Sequence, residues 1–292
     1  MSVFKGCATA IITPFTEDGV DYGALGRFID FQIENGVDAL VVLGTTGEAA
    51  TMTWEEKINT VKFSVEKIAG RVSVIIGTGG NNTAEVIKFS REVESYKPDA
   101  LLVVTPYYNK CTQEGLIAHY NAVADSVHTP IICYNVPGRT GVNILPRTFA
   151  EIAVHKNIVA IKEASGNMEQ ISETIRLSQG LADVISGDDG ITVPIMSVGG
   201  TGVISVASNA APAFMSKLTA KCLEGDFREA GKMQLKINPL VKALFSEVNP
   251  IPAKYAASVL GFGKNIVRLP LTPMTSDNAE KLEEIMRGLD IL

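Results

Sequence analysis

The sequence predicts a (β/α)8 TIM barrel of the α/β class, carrying a C-terminal helical extension. Three observations predict it. Eight short apolar runs recur along the chain, an amphipathic stretch of helical period follows each, and the last part shows helical patterning alone. Most of the runs are rich in Val and Ile with little polar alternation, as expected of strands buried on both faces of a parallel sheet. Alternating strands and helices either close into a barrel or stay an open, doubly wound sheet. Eight units favour closure, and the open sheet is the runner-up. The length of 292 residues suits one such barrel with additions.

In order, the runs are Ala8–Thr13, Ala39–Gly44, Val72–Gly77, Ala100–Pro106, Pro130–Tyr134, Ile158–Lys162, Asp183–Ser186 and Gly202–Val206. Between the first two, Leu25, Phe28, Ile29 and Ile33 share one helical face, and Gly36 follows as a stop. Thr53-Trp-Glu-Glu56 reads as a capping box, in which the threonine and glutamate satisfy each other's end of the first turn. Ile58, Val61, Val65 and Ile68 continue that helix until Gly70. Asn82 with Glu85, and Asn167 with Gln170, give weaker starts of the same kind. Residues 1–225 are thus expected to form the barrel and 226–292 a helical extension packed on it, with Pro250, Pro252 and Pro270 as punctuation.

A net charge of −6 disfavours nucleic acid or an anionic membrane as partner, since neither is attracted to an acidic protein. No run of 18 or more apolar residues exists to span a bilayer. The first residues lack the basic region and apolar core of a secretory signal. Cys7, Cys111, Cys133 and Cys222 stand far apart, so a reduced, cytoplasmic setting is expected. His119, His128 and His155 are scattered, and no motif has metal-ligand or dinucleotide spacing. A metal or organic cofactor is therefore not expected.

Barrel chemistry sits where strands end, at the C-terminal face. Lys162 lies near the end of an apolar run, Ile158-Val-Ala-Ile-Lys162. Burial there lowers an amine's pKa, and a neutral amine condenses with a ketone to an imine, an electron sink; the plainer reading is a lysine directed to solvent. Tyr134 ends the preceding run and would neighbour Lys162 in a barrel, as a proton relay or as a buried structural tyrosine. Gly44-Thr-Thr-Gly-Glu48 offers hydroxyls and amides to a carboxylate, or is simply a turn. Arg139, in a Pro-Gly-Arg turn, suits a carboxylate clamp and equally an exposed loop residue. Tyr107 and Tyr108 suit an interface as well as a site. Two carboxylates in Gly187-Asp-Asp-Gly190, after the seventh run, argue against a phosphorylated substrate.

Together and in this order, Gly44-Thr-Thr-Gly-Glu48, Tyr134-Asn-Val-Pro-Gly-Arg-Thr140 and Ile161-Lys-Glu-Ala-Ser165 resemble the motifs of dihydrodipicolinate synthases. Thr13-Pro14, Thr105-Pro-Tyr-Tyr-Asn109, Gly187-Asp-Asp189 and Gly202-Val-Ile-Ser205 extend the likeness over nearly the whole chain. The resemblance implies a lyase in which Lys162 forms a Schiff base with pyruvate, and the resulting enamine attacks L-aspartate 4-semialdehyde. It implies a proton relay of Thr45, Tyr134 and Tyr108, the last reaching into a neighbouring subunit. Thr46, helped by Ala10 and backbone near Ile204, would hold the pyruvate carboxylate, and Arg139 that of the semialdehyde. A homotetramer of two tight dimers and a place in lysine and diaminopimelate biosynthesis are also implied.

N-acetylneuraminate lyases and 2-keto-3-deoxy sugar-acid aldolases share these features and form the nearest alternative. Arg139 and the Thr45–Thr46 pair favour the synthase. A non-catalytic binding barrel is a third reading, disfavoured by the retained lysine, threonines and tyrosines. The resemblance further implies an allosteric pocket for L-lysine among Ala49, Ala50, Trp54, Lys57, Asn81, Glu85 and Tyr107. Sensitive relatives tend to carry histidine or glutamate at position 57. An ammonium there opposes a cationic ligand, so weak or absent feedback is expected.

Overall fold

The structure, a computed structural model, describes residues 2–292. Eight parallel strands follow one another around a closed barrel: β1 (Gly6–Ala10), β2 (Ala39–Val42), β3 (Ser73–Gly77), β4 (Ala100–Val104), β5 (Ile131–Asn135), β6 (Ile158–Glu163), β7 (Asp183–Ser186) and β8 (Gly202–Ser205). Closure comes from β8 pairing back onto β1, with Gly202 opposite Gly6 and Ser205 opposite Thr9. The open doubly wound sheet is thereby excluded.

The weak polar alternation of the runs has a direct cause. Ala39, Val41, Ala100, Leu102, Ile132 and Ala160 fill the barrel interior with Phe4 and Ala8. Their neighbours Leu40, Val42, Leu101, Val103, Ile131 and Ile161 pack outward into the core beneath the helices. Both faces are dry, so both are apolar. The first run is strand only as far as Ala10. Ile11–Thr13 leave the ladder to pass Asn209, which accepts from the Ile12 amide at 3.1 Å and donates to the Ala10 carbonyl at 2.9 Å. They stay buried, which is why the apolar run outlasts the strand.

Three helices start where the caps Thr53, Asn82 and Asn167 predict. Helix α1 (Tyr22–Glu34) buries Leu25, Phe28 and Ile29, and α2 (Trp54–Ile68) opens on a capping box bonded in both directions. Asn82 caps α3 (Thr83–Glu94). Helices α4 (Gln113–Ser126) and α5 (Pro146–Ile152) precede α6 (Met168–Ser178), which Asn167 caps; α7 (Thr192–Ser197) and α8 (Pro212–Leu223) complete the ring. A small antiparallel hairpin, Phe15–Thr16 with Gly19–Val20, is an addition that periodicity over so few residues does not reveal.

Beyond α8 lie α9 (Phe227–Leu244), α10 (Ile251–Val259) and α11 (Ser276–Gly288). Helical patterning was expected throughout this part, but no helix covers 260–275. Gly261 and Gly263 sit at φ +88° and +99°, which a helix cannot accommodate, and Pro270 and Pro273 follow. This segment packs instead, Phe262 lying 4.9 Å from Phe28 and 4.7 Å from Phe31 between ring centroids. Helix α9 is tied to the end of β7: Gln234 donates to the Asp189 carbonyl at 2.9 Å and accepts from the Val193 amide. Among the described residues no helix is long and apolar enough to cross a membrane.

Candidate active site

Strand register builds the centre of the site. Tyr134 on β5 lies directly opposite Lys162 on β6, and both side chains face the barrel interior. The Lys162 nitrogen stands 4.3 Å from the centroid of the Tyr134 ring. Lys162 is 5% exposed, and burial brings its pKa down to about 8; the Asp189 carboxylate opposes that fall and the Arg139 guanidinium adds to it. Burial has the opposite effect on Tyr134, pushing its phenol up to about 12 with Arg139 pulling it back. The phenol therefore keeps its proton at neutral pH.

Gly187 is what makes room for the lysine. A Cβ at this position would lie 3.0 Å from both Cγ and Cε of Lys162 and 2.8 Å from Cβ of Ala164. The bare backbone after β7 thus acts as a wall along the lysine stem, and a side chain there would displace the amine.

The Thr45–Gly47 segment after β2 is one 3₁₀ turn, closed by Glu48 in the left-handed region at φ +53°. The extension holds that turn in place. Asn249 donates to the Thr46 hydroxyl at 3.0 Å, and its carbonyl accepts from Arg139 Nη2 at 3.2 Å. Lys254 forms an ion pair with Glu48, both side chains 1% exposed. Glu48 also accepts from the Arg268 amide, and both cations lie against Phe15, 3.9 Å and 4.1 Å from its ring centre.

Above the strand ends is a cavity of about 330 Å³ lined by Ala10, Thr45, Thr46, Tyr134, Arg139 and Lys162. Six of the residues singled out in the sequence therefore converge. Ile204 does not line it; it packs in the inner layer with Ala10 and Tyr134, two residues before Val206, which does. Tyr108 is 90% exposed, at φ +73°, and does not line the cavity of its own chain. Asp188 is in the lining, but Asp189 is turned inward, accepting from the amides of Val206 and Ala207 at 2.9 Å. Only one of the two carboxylates expected near the substrate is therefore there.

The sequence reading missed Val206, Val241, Lys242, Phe245 and Asn249. Four of these belong to the extension, where a helical pattern carries no sign of which residue will overhang the barrel. A second cavity, of about 390 Å³, shares Thr45, Tyr134, Arg139 and Asn249 with the first. It contains Ala49, Ala50, Lys57 and Tyr107, whereas Trp54, Asn81 and Glu85 lie outside its lining.

An amine whose pKa is lowered to about 8, a protonated phenol and a rim of hydroxyls and guanidinium suit imine chemistry on an anionic ketone. The amine reacts only when unprotonated, so its pKa of about 8 sets the pH dependence. The rate of adduct formation with a keto acid, followed by borohydride trapping, is expected to rise with pH and to level off above that value. A flat profile through this range would show that Lys162 is not the nucleophile.

Comparison with known proteins follows the same lines. The sequence model of the Dihydrodipicolinate synthetase family matches residues 3–289. A 4-hydroxy-tetrahydrodipicolinate synthase of Thermoanaerobacter sp. (strain X514) is 49% identical over 293 residues, covering 100% of this chain and 99% of its own. One from Geobacter sulfurreducens is 49% identical over 290 residues, covering 99% and 100%. The crystal structure of dihydrodipicolinate synthase from Thermotoga maritima superposes with a TM-score of 0.98 at 43% identity, covering 100% of both chains.

Proposed function

The chain belongs to the dihydrodipicolinate synthetase family, and we propose that it works as a 4-hydroxy-tetrahydrodipicolinate synthase, a Schiff-base lyase condensing pyruvate with L-aspartate 4-semialdehyde. The observation that carries this reading is Lys162, buried against Tyr134 in a cavity that also holds Thr45, Thr46 and Arg139.

The Lys162 nitrogen adds to C2 of pyruvate, and loss of water leaves the imine. The imine draws electrons from C3, which loses a proton and becomes the nucleophilic enamine carbon. That carbon attacks the aldehyde of the semialdehyde, whose oxygen takes a proton as the new bond forms. The amino group of the second substrate then adds to the imine carbon and expels Lys162, closing the ring and freeing the enzyme. Tyr134, protonated, and Thr45 pass protons in these steps. Thr46 and Ala10, with backbone near Ile204, hold the pyruvate carboxylate.

Tyr108 is proposed to complete the relay of a neighbouring subunit, in keeping with an exposed ring on a left-handed backbone. The active species is then at least a dimer, and a homotetramer is proposed in a cytoplasmic setting. Residues 1–225 supply the reacting groups and 226–292 hold them. The reaction belongs to lysine and diaminopimelate biosynthesis. A coupled assay with pyruvate and aspartate semialdehyde, run beside N-acetylneuraminate cleavage, tests the reading; cleavage without condensation would overturn it.

Arg139 is assigned to the semialdehyde carboxylate. Arg139→Ala is expected to lower kcat/KM for the semialdehyde by on the order of 2–3 kcal/mol, the scale of a charged hydrogen-bonded pair. Pyruvate trapping should change little. Equal loss in both would mean that Arg139 supports the relay or the fold instead.

L-lysine is proposed to inhibit weakly or not at all. Lys57 lies in the second cavity, its nitrogen 5.8 Å from the Phe89 ring centre, where it opposes the ligand's ammonium. Burial lowers its pKa, which reduces that opposition without removing it. Millimolar L-lysine should leave most activity; inhibition at micromolar levels would contradict the assignment.

A further inference from the structure

We propose that Asn249 is a positioning residue that aims the Thr46 hydroxyl at the pyruvate carboxylate. The inference rests on the assignment of Thr46 to that carboxylate. A threonine hydroxyl has one proton and two lone pairs. Thr46 is 2% exposed, so its rotor is governed by its protein partners, and the hydrogen bond found on it comes from Asn249 Nδ2 at 3.0 Å. A donor placed on the oxygen occupies a lone pair and leaves the proton free for an acceptor. The cavity beside it is bounded by both residues, and a carboxylate entering there supplies that acceptor.

The amide's other end favours this function over local stability. Asn249 Oδ1 is buried without a partner among the described residues. Turning the amide over would satisfy Oδ1 with the Thr46 proton, but that proton would then be lost to the substrate. A buried, unsatisfied acceptor costs stability, and here it is the counterpart of a hydroxyl kept ready to donate. The same residue's carbonyl accepts from Arg139 at 3.2 Å, so a single residue of the extension touches the holders of both carboxylates. Only the Thr46 contact is made by the side chain.

Substitutions separate this role from a structural one. Asn249→Ala is expected to raise the pyruvate concentration for half-maximal borohydride trapping about tenfold, as for loss of a hydrogen bond to a charged group. Asn249→Asp, though closer in shape, should be worse than alanine, because its carboxylate accepts the Thr46 proton and repels pyruvate. At saturating pyruvate, kcat/KM for the semialdehyde should fall by less than about threefold in Asn249→Ala, since the main-chain contact to Arg139 survives. In a Thr46→Val background, Asn249→Ala should add less than about twofold to the pyruvate defect. Thr46→Val alone, which leaves the extension intact, must reproduce that defect. An aspartate variant milder than alanine, additive losses, or normal trapping in Thr46→Val would each overturn the proposal. Failure of the unaltered protein to form any adduct would instead overturn the functional reading beneath it.

Discussion

Replacing Lys162 with methionine is expected to lower turnover on the order of 10⁴-fold or more while the protein remains folded. That is the scale of removing a covalent nucleophile, because residual catalysis then comes only from binding and orientation. The two parts of the expectation have one physical origin. Lys162 is 5% exposed, and Asp189 and the Tyr134 ring only partly offset the desolvation of its amine, so the fold bears a net cost for burying it. Methionine fills similar space along the Gly187 wall and carries no charge. The variant should therefore melt at the same temperature or higher, and a loss of activity with no loss of stability marks a group retained for chemistry. Turnover within tenfold of the unaltered protein would remove Lys162 from the mechanism.

Lys254→Met should have the largest effect on stability. Its partner Glu48 would be left as a buried carboxylate with only the Arg268 amide to satisfy it. Breaking one side of such a pair costs about 3–5 kcal/mol, read as a shift in the denaturant midpoint. Activity should fall as well, because Glu48 ends the turn that carries Thr45 and Thr46. Removing both charges is a different matter. In Glu48→Gln with Lys254→Met much of the stability should return, since a neutral pair needs no buried charge. A change below about 1 kcal/mol in Lys254→Met would show that water reaches the pair and that the turn is held by other means.

The fold was legible because each strand is buried on both faces and several helices begin with a side chain that caps them. Leu, Val and Ala on both sides of β2 and β4 point to a parallel sheet buried on both faces, and the count of eight units favoured closure over an open sheet. Thr53, Asn82 and Asn167 mark helix starts through local hydrogen bonds, which sequence displays directly. Strand ends were less legible, as at Ile11–Thr13, because a buried loop is as apolar as a buried strand. The gap at 260–275 was signalled by Gly261, Gly263 and Pro270 and overridden by the apolar residues between them.

In the site, Lys162 stood out as a polar residue at the end of an apolar run, whereas Tyr134, Thr45, Thr46 and Arg139 were ambiguous singly and gained their roles from the family resemblance. Asn249, Lys254 and Lys242 did not stand out. Asn249 and Lys254 reach Thr46, Arg139 and Glu48 across more than a hundred residues of sequence, and Lys242 lines the cavity from the same extension, which no local pattern encodes. Asp189 shows the complementary error: two adjacent carboxylates read alike in sequence, yet backbone amides at Val206 and Ala207 draw one of them out of the cavity. Gly187 belongs with the residues whose reason is visible only in three dimensions.

The most direct test of the account is to incubate the protein with pyruvate, reduce it with borohydride, and map the modified peptide by mass spectrometry. The account predicts one reduced pyruvyl adduct per chain, carried on Lys162, and none in Lys162→Met. An unmodified protein, or an adduct on Lys254, Lys242 or any other lysine, would contradict it.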